Sequence, residues 1–99
     1  MDMLPSSLKV GEKQYYVVQQ PAVGNNRRYG HVMHGTGTII IYTSDTKGTP
    51  TPLPEINETF WHELTHAVLY QMNDKHHSDE AFVTKFSHLL SKAIDSARF

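Results

Sequence analysis

The chain has 99 residues, 38% of them hydrophobic, and a formal net charge of -1, which suits one small globular domain and no more. That charge balance supplies no basic stripe for nucleic acid or an anionic membrane surface, and no apolar stretch is long enough to span a bilayer. There is no cysteine, so disulfides and thiolate metal sites are excluded and a reducing, cytoplasmic setting is expected.

Residues 1–20 lack a basic start followed by an apolar core, so no signal peptide is expected. Leu8 to Val10 and Gln14 to Val18 are β-prone runs on either side of Gly11-Glu12-Lys13, the pattern of a hairpin. Pro21 to Arg28 is polar and rich in Gly and Asn, a loop in which Arg27-Arg28 reads as a solvated pair. Tyr29 to Met33 and Thr38 to Thr43 read as a second hairpin around His34-Gly35-Thr36-Gly37, where glycine accepts positive φ. Ile39-Ile40-Ile41 makes the latter the strongest strand in the chain. Ser44 to Pro54 carries three prolines and a glycine, too irregular for either periodicity, and reads as a loop whose Pro54 lies near the first turn of a helix.

That helix is expected over Asn57 to Asn73, with Phe60, Trp61, Leu64, Ala67, Val68 and Met72 on one side. The opposite side carries His62 and His66 of the stretch His62-Glu63-Leu64-Thr65-His66, with Thr59 and Asn73 near them. Two imidazoles one turn apart share a helix face and can bind one metal ion, while Glu63, about 100° around the axis, can reach a water on that metal as a general base. Asp74 to His77 makes a short connection, Ser78 is a candidate N-cap, and a second helix runs to about Arg98 with Phe82, Val83, Phe86, Leu89, Leu90, Ala93, Ile94 and Ala97 as its apolar stripe. Strands first and helices last, with no repeat or linker, predict one α+β domain over residues 1–99. A small antiparallel or mixed sheet of about three to four strands would pack on the two helices.

A catalytic zinc site takes three protein ligands and leaves a position open for water. Glu80, in the first turn of the second helix at the edge of its apolar stripe, is the first candidate for the third ligand. A carboxylate there is also favoured by the helix N-terminus without any metal. His76 and His77 compete from the connecting loop, whereas His31, His34 and His88 have no ligand spacing and read as surface or interfacial histidines.

Phe60-Trp61-His62-Glu63-Leu64-Thr65-His66-Ala67-Val68-Leu69, followed by Glu80-x-x-Val83-Thr84-x-Phe86-Ser87-x-Leu89, resembles the ImmA/IrrE-type metallopeptidases and minigluzincins over about half the chain. The second segment departs from the usual pattern, which has Ala and Asn where Val83 and Thr84 stand. The resemblance implies a zincin-like fold, zinc ligands at His62, His66 and Glu80, and Glu63 as base. It also implies that the Thr38 to Thr43 strand lies beside the cleft and pairs with an extended peptide or protein substrate. The chain ends soon after the glutamate helix, so on this resemblance a minimal unit without sensing or DNA-binding domains is expected. The expected activity is therefore peptide-bond hydrolysis with Zn2+. Tyr70, Tyr42 or an unassigned histidine would stabilise the oxyanion. The competing expectations are a zinc-stabilised protein-interaction module with little or no proteolysis and a metal-free interaction domain.

Overall fold

Alternation along Thr38-Ile39-Ile40-Ile41-Tyr42 puts Ile39 and Ile41 on one face, and both are fully buried in the computed structural model, which describes residues 4–99. This segment, Thr38–Tyr42, is β4, preceded by β1 (Ser7–Val10), β2 (Lys13–Gln20) and β3 (Gly30–Met33). The helices follow: α1 (Leu53–Gln71), a 3-10 turn (Lys75–Ser78) and α2 (Glu80–Ser96). The expected α+β layer pair is present. Residues 1–3 of the expected domain lie outside those described.

The strands form one mixed sheet in the order β1-β2-β4-β3. Both expected hairpins exist, β1 with β2 and β3 with β4, each antiparallel. They are joined by parallel pairing of β2 with β4, Tyr16 opposite Thr38 through Gln20 opposite Tyr42. β4 is therefore flanked on both sides and its backbone groups are committed to the sheet. The strand expected to offer an edge to a substrate does not have one; β3 does.

Tyr15, Ile39 and Ile41 meet Ile56, Phe60 and Ala67 of α1 in the core. Gln71 at the far end of α1 donates to the Tyr15 hydroxyl at 3.0 Å, tying the helix to β2. Pro54 lies in the first turn of α1, where its missing N–H costs nothing. The helix starts at Leu53 rather than Asn57. Trp61 and Leu64 pack against the core as expected, but Val68 and Met72 are 38% and 64% exposed.

α2 differs more from its sequence pattern. Asp79, not Ser78, caps it, its side chain accepting from the Phe82 N–H. Ser78 belongs instead to the 3-10 turn. The packed face of α2 is Val83, Ser87 and Ser91, while Phe82, Phe86, Leu89 and Ile94 are exposed. Small side chains let α1 and α2 approach closely, and the buried hydroxyls of Ser87 and Ser91 donate to the carbonyls of Thr84 and His88 within their own helix. Among the described residues no helix is long and apolar enough to cross a membrane.

Candidate metal centre

His62 and His66 project from the side of α1 that faces α2 and β3, and Glu80 meets them from the first turn of α2. Nε2 of His66 lies 3.2 Å from Nε2 of His62. The Glu80 carboxylate straddles the pair, with Oε1 at 2.7 Å from His66 and Oε2 at 3.1 Å from His62. Ligands held about 2.0–2.1 Å from a tetrahedral ion sit about 3.3 Å from one another, so the three groups need to open by only tenths of an ångström. His62, His66 and Glu80 thus lie close enough to bind one metal ion.

The chemistry of the donor set agrees. Nδ1 of His66 donates to the backbone carbonyl of His77 at 2.6 Å, which turns Nε2 toward the carboxylate, and in the neutral ring that atom carries the lone pair. Acceptors converging on one point are satisfied together by a cation there or by shared protons. Burial holds the His62 pKa below its ordinary value and so favours the lone-pair form, with Glu80 opposing and His66 adding to the effect.

The carbonyl of His77 is held by the 3-10 turn. Asp74 caps the turn, accepting from the backbone N–H of His76 at 2.7 Å and approaching its ring Nδ1 at 2.9 Å, and these bonds hold the Asp74 carboxyl below its usual range. The two loop histidines that competed with Glu80 lie outside the cluster. The His76 ring pairs with Asp74 and stacks on Phe82, and His77 supplies its backbone.

Glu63 lies between α1 and β3, 7% exposed. Burial pushes its pKa up to about 7; Glu80 adds to the rise, while His66 and Arg28 oppose it. A carboxyl balanced near neutrality beside the cluster suits both taking and returning a proton. Gly30 makes this packing possible: a Cβ there would stand 2.6 Å from Cγ2 of Thr59 and 3.1 Å from Cγ of Glu63. A glycine at the start of a β-prone run is the signal of a close backbone approach that sequence reading passed over.

These groups line a cleft of about 770 Å³ between β3, α1 and α2. His31 and His34, expected at the surface or an interface, line it too, because β3 is the edge strand beside the cleft. The His34 ring stacks flat on Tyr70 with centroids 3.9 Å apart, and its buried Nδ1 has no hydrogen-bond partner among the described residues. Burial, then the neighbouring His66, His77 and His31, lowers its pKa. Tyr42 instead lines a separate cavity of about 270 Å³. His88 stays exposed and pairs with Glu58, clamping α2 to α1 at the rim. Comparisons with protein-family models, with curated proteins and with solved structures return no match.

Proposed function

We propose that the protein is a zinc-dependent metallopeptidase of the gluzincin type, with His62, His66 and Glu80 as ligands and Glu63 as general base. The observation that carries this reading is the convergence of two Nε2 atoms and one carboxylate within about 3 Å, with a buried carboxyl of raised pKa next to them in the same cleft. A bound zinc ion supplies Lewis acidity, drawing electron density from a carbonyl oxygen and acidifying water.

The remaining work falls to the chain. Glu63 accepts a proton from the attacking water and returns it to the leaving amine, two transfers that a carboxyl near neutrality performs at little cost. The free edge of β3 offers backbone donors and acceptors to an extended peptide, which would add to the sheet beside β3, on the side away from β4. His34, which lines the cleft with the Tyr70 ring stacked on it, is a side chain available to donate to the developing oxyanion.

The test is zinc stoichiometry and peptide-library cleavage on the parent and on Glu63→Gln. One zinc per chain and cleavage by the parent are expected, with zinc kept and cleavage lost in the variant. Zinc without cleavage would favour the zinc-stabilised interaction module, and cleavage surviving in Glu63→Gln would end the mechanism.

A further inference from the structure

We propose that Arg28 forms a subsite for a carboxylate of the bound peptide, at the end of the cleft where β3 begins. The proposal rests on the peptidase reading for the peptide itself, and names the chemical class that the cleft selects: peptides with an acidic side chain or a free C-terminal carboxylate near the bond presented to Glu63.

Arg28 lines the cleft beside Tyr29 and Glu58, and among the described residues it is the one lysine or arginine on that wall. The acids around it are occupied: Glu58 pairs with His88, Glu80 straddles His62 and His66, and Glu63 is buried. Among the described residues no carboxylate forms an ion pair with Arg28. Nη1 donates instead to Nδ1 of His31 at 2.6 Å, a bond that orients the guanidinium without neutralising it. Because a guanidinium only donates, this bond fixes the His31 hydrogen on Nε2 and leaves a second donor on the same wall. The Arg28 backbone is anchored as well, its N–H donating to Oδ1 of Asn26 at 2.8 Å. A planar, permanently charged fork that is positioned but unpaired fits a carboxylate in two-point contact.

The register follows from β3. Gly30 stands at the level of Glu63, and Arg28 precedes it by two positions. Arg28 lies before β3, beyond a bend at Tyr29, so a peptide paired to the β3 edge would carry its acidic group past the end of the paired segment, beyond the residue opposite Gly30.

The test uses zinc-loaded Glu63→Gln, which binds without turnover, and a fluorescent peptide series of one neutral sequence. One peptide has an amidated end and no acid, one has a free C-terminus, and a set has an amidated end with a single glutamate walked along the chain. Anisotropy titration should show an acidic peptide binding about tenfold more tightly than the neutral amide, as expected for charge-assisted hydrogen bonds. That gain should vanish in Glu63→Gln/Arg28→Gln while the affinity for the neutral peptide stays constant. The member that carries the gain identifies its source, terminus or side chain. Equal affinity across the series, a gain that survives Arg28→Gln, or no binding by any peptide overturns the subsite. The two readings fail separately: cleavage by the parent with equal affinity across the series would uphold the peptidase without the subsite, and acid-dependent binding without turnover by the parent would uphold the subsite without the peptidase.

Discussion

Glu63 shows how one side chain carries a pH dependence that the rest of the cleft does not erase. Its ordinary pKa of 4.5 is raised to about 7 by burial, so the fold favours the protonated carboxyl. The stability it contributes is full below the ordinary value and is lost as pH rises through the folded one. Glutamine mimics the protonated form and has nothing to lose. In the presence of chelator, Glu63→Gln and the parent should melt close together near pH 5, and the variant should be the more stable by on the order of 3 kcal/mol at pH 8. A melting difference that stays constant from pH 5 to 8 would show that Glu63 is not held protonated by burial. Gly30 gives the steric counterpart. Gly30→Ala places a methyl against Cγ2 of Thr59 at 2.6 Å and should destabilise by about 1–3 kcal/mol. Thr59→Ser deletes that same Cγ2, so the double variant should recover part of the loss; strict additivity of the two substitutions would disprove the contact. The two residues differ in how far the sequence revealed them. Glu63 was legible because the pentad is a local helical spacing. The role of Gly30 depends on where α1 crosses β3, which no local pattern encodes.

The elements were legible to the extent that their partners are local. Both hairpins followed from β-prone runs around glycine-bearing turns, and Gly11 and Gly37 take the positive φ those turns require. The parallel pairing of β2 with β4 joins segments across the Pro21 to Arg28 loop and all of β3, and alternation alone does not choose a neighbour. That choice moved the free edge from β4 to β3, and with it the cleft. α2 was misread for a related reason. Its large apolar side chains recur at helical spacing, but the helix packs through Val83, Ser87 and Ser91, where small groups permit a close α1 contact. Val83→Ala should therefore cost about 2 kcal/mol in denaturant unfolding, while Leu89→Ala, at a position 59% exposed, should stay within about 0.5 kcal/mol of the parent. The opposite order would mean that the stripe read from sequence is the packed one. The 3-10 turn reaches the site through its backbone. Asp74→Ala removes the acceptor for His76, loosening the carbonyl that orients His66, and zinc affinity should fall by about tenfold with no ligand changed. Unaltered affinity would detach the turn from the site.

At the scale of the whole molecule, the candidate cluster joins two helices, His62 and His66 from α1 and Glu80 from α2. In a chain of 99 residues the core supplies a thin margin, so an ion that binds only the folded form adds a large share of the total. At free zinc a hundredfold above Kd the gain is about 2.7 kcal/mol, enough to move the melting temperature by about 10 °C or more in a domain this small. Chelation should take that gain away from the parent and leave Glu80→Ala almost unmoved, because the variant has already lost most of its zinc affinity. His76→Ala and His77→Ala provide the contrast. The ring of His76 is engaged with Asp74 and Phe82, and His77 acts through a carbonyl that alanine retains, so both should bind zinc close to the parent's affinity and show nearly the parent's response to chelator. Zinc titration of the four proteins, each melted with and without chelator, discriminates between the arrangements. If His77→Ala lost zinc and Glu80→Ala kept it, the third ligand would be in the 3-10 turn and α2 would be held to α1 by packing alone. If chelator left the parent's melting curve unchanged, the cluster would not be a metal centre, and the converging acceptors would have to be satisfied by protons.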